Sequence, residues 1–240
     1  MCKGHGEWVG LGLLGWAEDR LRIRLFHPIL TTNPTKPPPQ PPAPNSPPIF
    51  HPTITKTLSP LSECDYNLHK SNSTYFTDID VSRATLCARL FGSRIAVLPS
   101  SSPTAIRIVL GGVQCVFRHE IRPYQGYEVW SRVVSWDEKW FYVGSWFVEG
   151  IGIGGRREGE GNGEGKDETV FAACVSRYVF KRGRVTYPPG RMLGECGLLG
   201  GLGEEIEERR KRDLEKARLT RGWDVVYEAF EGGGRVALGS

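Results

Sequence analysis

Between residues 73 and 91 the apolar positions return at helical spacing. Phe76, Ile79, Leu86, Cys87, Leu90 and Phe91 fall on one stripe, which predicts an amphipathic helix. Asn72 and Ser73 suit its start, Asp78 and Asp80 lie toward the positive end of its dipole, and Gly92 offers a stop. Beyond it the period changes. Segments 105–110, 113–121, 127–136, 140–149 and 169–180 are rich in Val, Ile, Phe, Tyr and Trp and read as strands. Asp137 and Glu138 separate two of them as a tight hairpin would. A helix followed by long strands, with no regular βαβ alternation, predicts an α+β fold: an antiparallel sheet wrapped around one long central helix.

This periodic region, residues 49–193, is flanked by sequence of another kind. Residues 1–30 form a short, weakly amphipathic lead. A linker follows over 31–48; ten of the 17 prolines lie between Pro34 and Pro52, so it should be extended and coreless. A Gly-rich run over 150–168 reads as a long polar loop between two strands, and both runs are expected to be poorly ordered. Residues 194–240 hold a glycine-rich link, a charged helix over 204–221 and a tail. The helix has i, i+4 pairs such as Glu205–Arg209 and Glu208–Arg212 and few apolar positions, the pattern of a solvated face.

Charge narrows the partners only a little. A net charge of +4 and a pI near 8.7 suit an anionic ligand with phosphates. No element clusters its basic residues as a nucleic-acid binder would, so nucleic acid is not expected. The six cysteines are scattered without a C-x-x-C pair and no signal peptide is evident, so they read as reduced cysteines of an intracellular, cytoplasmic protein. No apolar run approaches the roughly 20 residues that cross a bilayer. The stretch 8–16 is apolar and Arg20, Arg22 and Arg24 follow it, which leaves peripheral contact with a membrane surface open.

The chemistry is concentrated just before the helix. Glu63, Asp65, Asn67, His69 and Asn72 fall within ten residues, with Ser73, Thr74 and Tyr75 behind them. Free backbone N–H groups at a helix start can polarise a carbonyl or hold an anion. A carboxylate beside them could act as a general base or a nucleophile. Residues of these types also build turns and caps, so composition alone leaves both readings standing. Three other strings are weaker. Gly10-x-Gly12-x-x-Gly15 follows no strand, so no dinucleotide cofactor is expected. Cys64 and His69 could suggest a thiolate nucleophile, but the acidic neighbours of Cys64 oppose it. Cys64, His69 and His119 lack the spacing of a metal site, so no metal is expected.

The run E-x-D-x-N-x-H-x-x-N-x-x-Y from Glu63 to Tyr75, followed by Asp80 and Arg83, resembles the signature of the hotdog thioesterases related to hydroxybenzoyl-CoA thioesterase. Bacterial relatives read like D-x-D-x-N-G-H-M-N-N-x-x-Y. The resemblance continues through Phe117-Arg118-x-Glu120, Pro123-Tyr124-x-x-Tyr127, Arg132, Trp136-Asp137-x-Lys139-Trp140-Phe141-Tyr142, Arg177-Tyr178-x-Phe180 and Pro188-Pro189. It implies a hotdog fold and hydrolysis of an acyl-CoA thioester without a cofactor. Asp65 would supply the carboxylate, with His69 and Asn72 at the helix entrance. Asn67, Ser73, Thr74 and Tyr75 would hold the substrate, the backbone amides of the helix start polarising the thioester carbonyl. It further implies a homodimer with the two sheets joined side by side.

Four positions depart from the signature: Glu63 replaces Asp, Leu68 replaces Gly, Lys70 replaces an apolar residue and Ser71 replaces Asn. A catalytically inactive acyl-CoA-binding or scaffolding protein on the same fold is therefore the alternative. A hotdog hydratase is disfavoured, because that branch places its His five residues after the Asp with a Pro between. Here His69 follows Asp65 by four.

Overall fold

The helix expected over 73–91 runs from Asn72 to Phe91 (α1) in the computed structural model, which describes residues 47–95, 106–150, 169–200 and 203–218. The lead over 1–30, nearly all of the proline-rich linker, most of the 150–168 run and the tail after 218 lie outside those residues. β1 (Thr53–Leu58) precedes α1. β2 (Ile106–Phe117), β3 (Gly126–Trp136), β4 (Phe141–Glu149), β5 (Val170–Arg182) and β6 (Val185–Tyr187) follow it, then α2 (Pro189–Glu195) and α3 (Gly203–Ala217). The strands make one sheet in the order β1-β3-β4-β5-β2, with β6 added on β5 and every pairing antiparallel. α1 packs on one face of this curled sheet, so the expected α+β arrangement is the observed one.

The first half of α1 buries Tyr75 and Ile79 against Tyr127, Val129, Phe147 and Phe171. The last turns bury Leu86, Leu90 and Phe91 against Val133, Phe141, Val143 and Phe180. A polar belt separates the two apolar clusters. The Ser82 hydroxyl lies 2.8 Å from that of Ser131, which meets Ser145, its register partner, at 2.7 Å. The buried Arg83 guanidinium donates to the Ser176 hydroxyl and to Asp80. The serine hydroxyls and the Arg83 terminal nitrogens thus find partners, as most buried polar groups do, while Arg83 Nε has none among the described residues. One position of the helical stripe differs from expectation. Phe76 is 39% exposed, and Tyr75, at 2%, takes the place toward the sheet.

Other differences have local causes. The pattern suggested two strands broken at Gly111-Gly112. The structure has one, β2, with a register shift between Leu110 and Gly112. A Cβ at Gly111 would lie 2.2 Å from the Trp140 ring, so glycine admits the indole rather than ending the strand. α3 is not a solvated charged rod. Ile206 joins the main core, Ala217 joins the cluster on the outer sheet face, and the Ser135 hydroxyl donates to the Arg210 carbonyl at 2.7 Å. The Arg210 guanidinium donates to the Trp136 carbonyl at 2.9 Å. The cysteine reading needs one correction too. Cys115 and Cys174 stand opposite each other in the β2–β5 register and are joined as a disulfide, an adjacency set by strand pairing and invisible to spacing.

Candidate active site at the start of α1

The loop from Glu63 to Ser71 returns on itself before entering α1. Cys64 and Lys70 form an antiparallel bridge, and the Asp65 amide donates to the His69 carbonyl at 3.0 Å. At its tip the Leu68 amide donates to the Asp65 carbonyl at 3.1 Å, while the Asn67 amide donates to the Asp65 side chain at 2.8 Å. This is an Asx turn, the local geometry for which Asp is suited. It leaves the Asp65 side chain 28% exposed. Leu68 closes the turn at φ 60°, the left-handed angle that a glycine adopts most readily.

Each expected site residue can be placed. His69 presents Nδ1 to the Asp65 carboxylate at 3.7 Å and Nε2 to Glu120 at 3.9 Å, so its ring lies between two carboxylates. Asn67 is exposed and contributes its backbone N–H. Ser71 is the N-cap of α1, without a side-chain cap hydrogen bond, and Asn72 is the first helical residue and exposed. Ser73 is exposed, its hydroxyl 3.1 Å from that of Ser71. The Thr74 hydroxyl and amide both donate to the Ser71 carbonyl, at 2.7 and 2.9 Å. Tyr75 differs in setting. Its ring packs among Phe117 and Phe147, and burial, then the charges of Asp78 and Glu120, raise its phenol far above the usual range.

Asp65, Asn67 and His69 thus come together on one turn, and Asn72 to Thr74 form the adjoining start of the helix. Sequence reasoning named Glu120 and Tyr127 without a role, noted Lys70 only as a departure, and read Asp78 only as a charge near the helix dipole. Lys70 has a wholly buried side chain, with Nζ 2.7 Å from Glu63 and 2.9 Å from Asp78. The Tyr127 hydroxyl donates to Asp78 at 2.6 Å. The signal in sequence was the pair of charged departures, Glu63 and Lys70. Among the described residues no group of three or more His, Cys, Asp or Glu is placed to hold a metal ion, and no helix is long and apolar enough to cross a membrane. A cavity of about 530 Å³ opens on the outer sheet face beside Trp140, Arg177 and Arg218, and Asp65, His69 and Asn72 do not line it.

This chain belongs to the thioesterase-like superfamily, whose family model matches residues 59–186. It is 38% identical over 250 residues to the probable thioesterase atnL of Emericella nidulans, covering 95% of this chain and 79% of that protein. With the thioesterase poxG of Penicillium oxalicum it shares 38% identity over 216 residues, 76% of this chain and 71% of that one. Among solved structures it is similar to Slr0204, a 1,4-dihydroxy-2-naphthoyl-CoA thioesterase from Synechocystis. There the TM-score is 0.45 and the identity 7%, over 60% of this chain and 94% of that chain.

Proposed function

We propose that this protein hydrolyses an acyl-CoA thioester at the Asp65 loop. The observation that carries the reading is the position of a partly exposed carboxylate, held by an Asx turn, directly before a helix start that no side chain caps. As general base, Asp65 takes a proton from water, and the resulting hydroxide adds to the thioester carbon. The carbonyl oxygen becomes an oxyanion, held by the amides of the first turn of α1, Asn72 and Ser73 foremost. Collapse breaks the C–S bond, and the proton follows the departing thiolate. As nucleophile, Asp65 would add to the thioester carbon and expel the CoA thiolate; water would then cleave the mixed anhydride, releasing the acid and freeing Asp65, with one water proton passing to the thiolate. His69 orients the carboxylate in either route.

The same reading includes a homodimer. β2 is 12 residues long, forms one edge of the sheet, and exposes Val109 (45%), Leu110 (44%) and Phe117 (37%). A second copy pairing along β2 would join the two sheets side by side.

The test is thiol release from short, long and aromatic acyl-CoAs, with Asp65→Asn measured beside the parent protein. Turnover is expected to fall by about a hundredfold or more, with folding retained, because the base is lost and the shape kept. Full activity in Asp65→Asn would overturn the assignment. Binding of acyl-CoA with no thiol release from the parent protein would identify an acyl-binding protein instead.

A further inference from the structure

Glu63 and Lys70, two departures from the thioesterase signature, meet in the structure. Lys70 Nζ sits between Glu63 Oε2 at 2.7 Å and Asp78 Oδ2 at 2.9 Å, with the Tyr75 and Tyr127 rings 5.5 and 5.4 Å away. The backbone is tied at the same place. The Ser71 amide donates to the Glu63 carbonyl, and the Lys70 amide to the Ile121 carbonyl, both at 2.8 Å. Glu63 and Lys70 are therefore the two sides of the neck of the loop whose tip carries Asp65. Asp78 anchors that neck to α1, and Tyr127 anchors Asp78 to β3.

We propose that Lys70 is a positioning residue: its ion pairs with Glu63 and Asp78 fix the register of the loop and thereby aim the Asp65 carboxylate. This rests on the reading of Asp65 as the reacting group. An apolar side chain at position 70 would fill the space without direction. A buried ammonium between two carboxylates has one good geometry, because charge-assisted bonds weaken with any slide of the neck. Removing the ammonium leaves buried carboxylate charge uncompensated, so Glu63 and Lys70 act as one unit. The Lys70 side chain is 0% exposed and cannot touch substrate, so its effect belongs in kcat and not in KM.

The experiment uses the full chain and three variants: Lys70→Met, Glu63→Gln, and both together. Turnover of the best acyl-CoA substrate and amide hydrogen exchange across 63–71 are measured alongside global stability. In Lys70→Met, kcat is expected to fall by about ten- to a hundredfold with KM within about threefold, the scale set by a small misplacement of a reacting group. Exchange at Asp65 and Ser71 should quicken by about tenfold or more while β4 amides stay protected, the mark of local and not global opening. The double variant should recover part of kcat, because one of the two carboxylates that the Lys70 ammonium balanced is gone with it. If Lys70→Met does not fold, Glu63→Gln, which keeps the Asp78 pair, carries the same expectations at smaller size. A folded variant with kcat and loop exchange unchanged overturns the proposal. If the parent protein releases no thiol from any acyl-CoA, the Asp65 reading fails, and the exchange data alone decide whether Lys70 clamps the loop.

Discussion

Leu68 and Tyr124 hold the same uncommon backbone angle, φ 60° and 62°, and each is 64% exposed. They lie on two turns linked by the hydrogen bond from the Lys70 amide to the Ile121 carbonyl. Bulky residues rarely adopt this conformation, because Cβ crowds the following carbonyl. Two such positions beside one candidate site mark backbone that the surrounding bonds over-determine. At Leu68 those bonds are the Asx turn of Asp65 and the return to His69.

Leu68→Gly tests whether the side chain or only the angle matters. Relief of the left-handed strain, about 1 kcal/mol, is set against the extra freedom glycine brings to the unfolded chain, about 0.5–1 kcal/mol. The expected outcome in a urea titration is a stability unchanged or raised by a few tenths of a kcal/mol, on the order of the difference between those terms. A clear loss would mean that the exposed leucine makes a contact that offsets its strain.

Gly144 on β4 lies beneath the indole of Trp146. An added Cβ would stand 2.2 Å from Cη2 of the ring and 2.9 Å from Cγ2 of Val134. Gly144→Ala is expected to cost about 1–3 kcal/mol, the usual range for overpacking. Repeating it with Trp146→Leu should remove much of that cost, because the two changes share one clash. Equal costs in both backgrounds, measured by denaturant midpoint, would show that the indole moves aside freely.

Asp137 closes the β3–β4 hairpin and pairs with Arg218 at 3.0 Å. Burial works against its charge, but the amides of Trp140 and Lys139 and the Arg218 side chain together hold its carboxyl below the ordinary 3.8. A depressed folded value means the unfolded chain binds the proton first. The stabilisation is therefore complete above about pH 5 and is lost as pH falls through the ordinary value toward the folded one. Asp137→Asn should flatten that part of the acid limb and change little at pH 7 beyond the loss of an exposed pair, about 1 kcal/mol or less. An acid limb identical in the two proteins would remove Asp137 from the account.

The β2 edge yields a prediction about assembly. Val109→Lys combined with Leu110→Lys alters exposed positions, so each subunit should fold as before while a β2–β2 pairing is weakened by like charges. Sedimentation at micromolar concentration is expected to show the parent protein at twice the mass of its chain and the variant at the monomer mass. A parent protein already monomeric would remove the dimer from the proposed function.

How much of this could be read beforehand depended on the kind of interaction. The α1 stripe and the aromatic strands declared themselves by period, since a buried face repeats regularly in sequence. Phe76 misled because Tyr75, one residue earlier, is an aromatic of similar size and is the one that packs on the sheet. β1 was missed, being six residues with half-buried positions and no run of large apolar side chains. Asp65, Asn67 and His69 were legible as a turn before a helix. The role of Lys70 was not, because a charged residue where an apolar one is expected reads as damage until its partners are seen. Those partners, Glu63 and Asp78, lie seven and eight residues away in opposite directions, and no local spacing joins them.

β1 pairs with β3 only from Gly126 to Ser131, and α3 binds β3 at Ser135 and Trp136. On that flank the sheet ends partly in a short strand bearing an exposed lysine, Lys56, and partly in a helix that offers no ladder to extend. β2 on the other flank is twice as long as β1. In the proposed dimer, two flanks this unequal would make the sheet a self-terminating builder. A copy added along β2 would use up that edge and turn its own helix-bound flank outward, so association would stop at a closed pair instead of running on into a fibre.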